Sequence, residues 1–291
     1  MNKSTRKILL LVVVLMFIVT LAGCDVEHYE QSIDAEGGFA WVQWIVTKIA
    51  QLTVEISRFA GGHYIVGLFT VTLLIRIVGW PIYSKSNAMS SNMQIAQPEL
   101  ERLQEKYRDK KDEASQRQMQ QEMMQIYKEY NINPLGCLLP FLQMPIFIAM
   151  YQVVRRLPKT DRFQDLDFEF LFLDFQGGSP LDAGVAFSFS EHWVNILLAA
   201  IVGATMYFYQ RYAMKKPEYL QNKKYDSAKQ KQSQQTMKYM TYFMVIMLTS
   251  IAFTNIGIAF YWVIGNLFQF LQTYVNRKKN YKRHIENNNI T

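Results

Sequence analysis

Ile65–Ser86 reads IVGLFTVTLLIRIVGWPIYSKS, and the solvent around this stretch decides the fold. It is long and apolar enough to cross a bilayer, which takes about 20 residues. Yet Arg76 lies inside it. A cation at membrane depth costs about 2.5–3.5 kcal/mol on insertion scales, and a carboxylate on a neighbouring span is the usual relief. None of the other apolar runs contains Asp or Glu. Arg76 precedes Ser84 by eight residues, or roughly 12 Å of helix, so its long stem could reach only part of the way to water. Two readings follow: a snorkelling side chain, or a cation in a water-filled groove that awaits an anion supplied by another molecule.

Outward from this stretch, apolar runs alternate with charged ones, and the mean hydropathy of −0.05 averages over the two. The runs predict five spans at 63–84, 133–154, 192–214, 237–253 and 257–275. Pro81 lies near the end of the first, and Pro134, Pro140 and Pro145 fall in the second. The expected fold is therefore an all-α integral membrane protein. The flanking pieces are 155–191 outside and 85–132, 215–236 and 276–291 inside. Lys and Arg set this orientation, because basic residues concentrate on cytoplasmic segments. Lys85–Glu129, the stretch from Lys215 to Lys238 and the tail beginning at Arg277 are all rich in them. The loop Arg155–Glu191 carries four basic residues against seven acidic ones. The net charge of +7 is thus explained by topology, and no DNA partner is expected.

Before the first span the chain reads as a targeting segment. Lys3, Arg6 and Lys7 precede the apolar run Ile8–Leu21, and Leu21-Ala22-Gly23-Cys24 follows. The ending resembles a bacterial lipobox. This predicts removal of 1–23 and lipidation of Cys24, which would leave an outer N-terminus spanning 24–62. The other cysteine, Cys137, sits at the start of a later span, so no disulfide framework is expected. Within Phe39–Phe59, Val42, Ile45, Ile49, Leu52, Ile56 and Phe59 form one helical stripe. Trp41 and Trp44 suit a membrane interface, so this reads as an amphipathic helix lying on the outer surface.

In 85–132, one face is marked by Met93, Ala96, Leu100, Leu103 and Tyr107, and another by Met119, Met123, Ile126 and Tyr130. Asp109-Lys110-Lys111-Asp112 lies between them, which predicts an antiparallel helical hairpin. No Walker motif, metal-ligand cluster or catalytic triad is found, so neither a cofactor nor enzymatic catalysis is expected.

The combination carries a resemblance. Its strings are Ile75-Arg76-Ile77-Val78-Gly79-Trp80-Pro81, Asn133-Pro134-Leu135-Gly136-Cys137-Leu138-Leu139-Pro140, Gln143-Met144-Pro145-Ile146, Leu173-Asp174-Phe175 and Tyr261-Trp262-Val263-Ile264-Gly265-Asn266. With the lipobox and the order of elements, the chain resembles the YidC insertase family in its five-span, lipoprotein form from Gram-positive bacteria. The resemblance implies a hydrophilic groove open to the cytoplasm. It also implies insertion and folding of small membrane proteins, either independently of the Sec translocon or beside it. Nascent membrane proteins would be the clients. The ribosome, the signal recognition particle receptor, the Sec translocon and membrane lipids would be further partners. Arg76, Gln143, Gln210 and Trp262 match groove-lining positions of the family. Asn266 is added because it lies one helical turn from Trp262. The competing class is a secondary transporter or channel with an anion-attracting arginine. It lacks support from intramembrane acids or internal repeats.

Overall fold

The computed structural model describes residues 32–33, 40–110, 112–133, 144–177, 179–180, 188–215 and 228–289. The predicted targeting segment, Cys24, Cys137, Gln143 and most of the loop 215–236 lie outside the described residues. Helices dominate: α1 (Ala40–Phe59), α2 (Tyr64–Val78), α3 (Trp80–Lys106), α4 (Glu113–Glu129), α5 (Met144–Arg156), α6 (Trp193–Met214), α7 (Ala228–Phe253) and α8 (Ile256–Asn289). Two 3-10 turns, Leu157–Lys159 and Asp161–Phe163, lead to a small hairpin of β1 (Glu169–Phe170) and β2 (Leu173–Asp174). Of the described helices, α6 alone is long and apolar enough to cross a bilayer unaided, and α2 with α3 qualifies as a bent pair. In α7 the apolar part is the shorter Lys238–Phe253.

The first expected span does not run straight. Its helix breaks at Gly79, and α2 and α3 meet there at 55°. Pro81, at the start of α3, explains the break. It has no N–H to give the Ile77 carbonyl, and its ring crowds that carbonyl. After the break α3 continues unbroken past Ser84 into the charged segment, ending at Lys106. At the other end of the chain, α8 runs through Val275 and on into the basic tail as one helix.

Contacts group the chain into two compact units. The first gathers Met1–Ile75, Pro140–Val202 and Thr249–Gly265. Here α1 packs along α5. Val46, Tyr64, Leu68, Val71, Ala149, Met150, Val153, Leu157 and Ile258 are fully buried. The Tyr64 ring lies 4.9 Å from Phe168 and 5.3 Å from Phe175, which in turn meets Phe260 edge-on. This places the Leu173-Asp174-Phe175 string as an aromatic anchor.

Of the stripe expected on α1, Val42 alone belongs to the buried face. The rest of that face is made of smaller residues: Val46, Ala50, Thr53, Val54 and Ser57. The larger Leu52 and Phe59 remain exposed, as do Trp41 and Trp44. Close approach accounts for this. Gly67 of α2 sits so near Thr53 and Ser57 that a Cβ there would collide with them. The loop after α5 is tied back to α1 and α2. Arg58 forms a bidentate pair with Asp165 (2.8 and 3.0 Å), His63 Nδ1 lies 2.9 Å from Asp167 Oδ2, and Tyr64 N donates to Asp167 O. The Arg58 pair holds the Asp165 carboxyl below its usual range.

The second unit gathers Arg76–Leu139, Gly203–Leu248 and Asn266–Thr291. Lys106 Nζ reaches Glu122 (2.7 Å) while Tyr130 Oη donates to Glu99 (2.6 Å), so α3 and α4 run antiparallel. Ala96, Leu103 and Tyr107 are buried between them, whereas α4 has no fully buried residue. Asp112 caps α4 by accepting from Ser115 N (2.9 Å), which lowers the pKa of its carboxyl.

Candidate functional site

Arg76 lies three residues before the break at Gly79, half-buried in the second unit. Its Nη1 donates to Tyr83 Oη at 3.4 Å and to Gln269 Oε1 at 3.5 Å, and its guanidinium lies 5.8 Å from the centre of the Tyr83 ring. Both hydrogen bonds are long, and both partners are neutral. Among the described residues no carboxylate pairs with Arg76.

The break also frees backbone carbonyls. In a continuous helix the Arg76 carbonyl would accept from the residue four positions on. Here Gln272 Nε2 donates to it instead, at 3.1 Å. Gln269 Nε2 donates to Tyr209 Oη at 3.0 Å, so Gln269 bridges Arg76 to α6. Asn266 Nδ2 donates to Thr205 Oγ1 at 3.3 Å, one turn further along the same pair of helices. Trp80 packs edge-on against Phe268. At the far end Arg277 Nη2 donates to the Ala213 carbonyl (2.6 Å) and the Lys215 carbonyl (2.9 Å), closing the C-terminus of α6.

Among the described residues, one that was expected beside Arg76 stands outside this network. Gln210 is half-buried, and the link to Gln269 belongs to its neighbour Tyr209. Trp262 belongs to the first unit, where it is 7% exposed and stacks on Phe147 at 6.1 Å with the rings 15° apart. Tyr83, Tyr209, Gln269 and Gln272 were not anticipated. The signal for one of them was present, because Asn266, Gln269, Thr273 and Asn276 recur at helical spacing on a largely apolar part of the helix. Gln272 lies beside that stripe. Gln272 Oε1, Thr273 Oγ1 and Asn276 Nδ2 are buried with no hydrogen-bond partner among the described residues. Groups of this kind are normally matched by water or by polar groups of another molecule. No cluster of three or more metal-ligating side chains occurs among the described residues.

Comparison with known proteins gives the same direction. Residues 55–283 match the family model described as 60Kd inner membrane protein. The chain is 28% identical over 283 residues to "Membrane protein insertase MisCA" of Bacillus subtilis, covering 97% of this chain and 95% of that one. It is 30% identical over 272 residues to "Membrane protein insertase YidC 2" of Bacillus anthracis, covering 93% of each. A further relative, "Membrane protein insertase YidC" of Oceanobacillus iheyensis, is 30% identical over 275 residues, covering 94% of this chain and 97% of that one. The match spans well over half of the chain and its relatives align nearly end to end, so the chain belongs to the 60Kd inner membrane protein, or YidC, family.

Proposed function

We propose that this protein is a membrane protein insertase, a non-enzymatic device of the cell membrane that inserts and helps fold small integral membrane proteins. Five spans surround a hydrophilic groove open to the cytoplasm, with Arg76 at its centre. The N-terminus, lipidated at Cys24, lies outside, α1 lies on the outer surface, and the α3–α4 hairpin is cytoplasmic. The observation that carries the reading is Arg76 itself: a half-exposed cation held by two long bonds to neutral groups. Its neighbours Gln269 and Gln272, together with the orphan polar atoms of α8, give it a polar surrounding in an apolar sequence.

The mechanism follows from electrostatics and burial. A client's polar tail must cross an apolar slab, and a wet groove shortens the dry part of that path. Arg76 attracts acidic residues of the tail more strongly there than in water, because the dielectric is lower. The client's apolar span then moves into lipid, and burial of its surface drives the tail across. Gln143, Gln210, Trp262 and Asn266 contact the client along the way. The ribosome, the signal recognition particle receptor and the Sec translocon are the partners that deliver clients or work beside the protein.

The decisive experiment places the purified protein alone in liposomes and presents a single-span client during synthesis. Protease-protected client above the level of empty liposomes is expected, and insertion no better than empty liposomes overturns the function. The topology has its own test: a cysteine at Gln118 is shielded from an impermeant thiol reagent in intact cells, and one at Gln164 reacts. Reversal of that pattern overturns the orientation.

A further inference from the structure

The hairpin after the 3-10 turns ends in an apolar tip. Phe170 pairs opposite Leu173, leaving Leu171 and Phe172 as the two-residue turn. Phe170, Leu171 and Phe172 are 42%, 84% and 51% exposed. Leu171 has φ 56°, a left-handed conformation that costs a residue with a Cβ about 1–3 kcal/mol. An exposed leucine there in water would carry both this strain and an unburied apolar side chain. At the neck of the tip, Glu169 and Asp174 are exposed. The polarity therefore switches within two residues.

The tip is not isolated. The Phe172 ring lies 5.4 Å from that of Trp193, the first residue of α6. Trp193, Leu197 and Ile201 follow at four-residue spacing, are 42%, 41% and 37% exposed, and form one apolar face of the helix. The exposed surface thus continues from the hairpin tip down the helix best suited to cross a bilayer. Tryptophan at a span end marks the headgroup level.

We infer that the Phe170–Phe172 tip inserts into the membrane interface, as a second lipid-binding element that fixes the depth at which α6 enters the bilayer. The occupant is the headgroup–acyl boundary of the leaflet at the Trp193 end of α6, whose hydrocarbon takes the three side chains while Glu169 and Asp174 stay in water. The inference rests on the proposed spanning of α6.

The test uses the full-length chain with Cys137→Ser, reconstituted in phosphatidylcholine–phosphatidylglycerol vesicles. A fluorescent thiol label is placed at Leu171→Cys, at Phe170→Cys as a repeat, at Gln164→Cys as an exposed control and at Ile201→Cys as a span control. The signal of the parent chain is subtracted. Lipids brominated near the carbonyl end should reduce emission at Leu171 and Phe170 at least about twofold, matching an element seated some 5–10 Å into the interface. Aqueous iodide should leave these two sites unaffected and quench Gln164. Tail-brominated lipid should quench Ile201. Iodide quenching at Leu171 equal to that at Gln164 overturns the inference while the span control leaves the reading of α6 standing. Protection of Leu171 from both quenchers means that protein, and not lipid, covers the tip, and overturns it too. If Ile201 escapes tail-brominated lipid, the spanning of α6 fails and the inference falls with it.

Discussion

Arg156 and Arg76 lie near the ends of two helices, α5 and α2, in settings that could hardly differ more. Arg156 has no solvent exposure. Its Nη1 donates to Gln152 Oε1 (2.8 Å) and Gln43 Oε1 (3.1 Å), and its Nη2 donates to the Ser32 carbonyl (2.7 Å). The Ile33 carbonyl lies 3.4 Å from the same Nη2. One guanidinium thereby ties the end of α5 to α1 and to the segment before it. Arg76, half-buried, has bonds of 3.4 and 3.5 Å. A rigid fork saturated with acceptors is a structural tie. The same fork loosely held leaves donors for something else. Burial and bond length, rather than residue type, separate the staple from the site.

The comparison breaks most visibly at Arg156. Replacing it with alanine takes the donor from Gln152, Gln43 and the Ser32 carbonyl, while the Ile33 carbonyl keeps Gln43 Nε2 at 2.8 Å. Each acceptor left unpaired in the interior costs about 1–3 kcal/mol. The expected outcome is a chain that melts far below the parent in mild detergent, or is degraded in cells, whatever client is tested. Arg156→Lys keeps the charge but not the fork, and should recover only part of the loss. A melting point within error of the parent for Arg156→Ala would remove the staple from the comparison.

Arg76 should show the reverse. Alanine there should hardly change melting, since its bonds are long, but should lower insertion of clients with acidic tails by on the order of tenfold, equivalent to about 1.4 kcal/mol of lost attraction. Clients with neutral tails should be spared. Arg76→Lys keeps the point charge and most activity, and Arg76→Glu should be worse than alanine for acidic tails. Protease protection of matched clients, at equal abundance of each variant, reads the difference. Equal losses for acidic and neutral tails would mean that Arg76 keeps the groove hydrated and does not attract charge.

A smaller effect sharpens the same contrast. Gln269→Leu removes the bridge between Arg76 and Tyr209. Hydrogen bonds between spans average about 0.6 kcal/mol, so insertion should fall by two- to threefold and melting should barely move. A loss as large as that of Arg76→Ala would make Gln269 a principal client contact.

These residues also show what the sequence could and could not disclose. Arg76 was legible because a charge inside an apolar run is conspicuous by itself. Arg156 was not. It stands beside Arg155 at the start of a charged loop, and its partners Gln43, Ser32 and Ile33 lie more than a hundred residues away in the chain. Periodicity reports which residues share a face and is silent on what that face meets. On α1 it found the large apolar stripe but missed the small-residue face that packs against the protein, because Ala50, Thr53 and Ser57 have little hydropathy. The polar stripe on α8 was caught only at Asn266, since Gln269 and Gln272 carry no charge to set them apart in a span. Gly79 and Pro81 were visible, but the 55° bend they make is a consequence of three dimensions.

A third cation completes the series at the exposed end, and there the expected effect is smallest. Lys106 Nζ contacts both carboxylate oxygens of Glu122 at 2.7 and 2.8 Å, and Tyr107 Oη donates to the same group at 2.8 Å. The geometry is better than that of Arg76, yet the pair is 55% and 36% exposed, so water and salt screen it. The Lys106 bond, with that of Tyr107 behind it, holds the Glu122 carboxyl below its ordinary value, and the Glu122 bond raises Lys106 above its own. A lowered carboxyl stabilises the hairpin fully above its unfolded pKa, about 4.3, and loses that contribution as pH falls through the folded one. A raised amine stabilises below its unfolded pKa, about 10.4, and loses the contribution as pH rises through the folded one. The tie between α3 and α4 therefore contributes fully from about pH 4.3 to 10.4 and declines beyond either edge, as pH passes through the lowered carboxyl pKa or the raised amine pKa. At pH 7, Glu122→Gln imitates the acid end and should speed tryptic cleavage after Lys110, between the two helices, by about twofold, as expected for an exposed pair. Molar salt should bring parent and variant together, since the screening length then falls to about 3 Å. Overall melting and client insertion should not change. A salt-independent effect, or a large one, would mean that Glu122 is tied into the structure as Arg156 is, and that exposure alone does not rank the three cations.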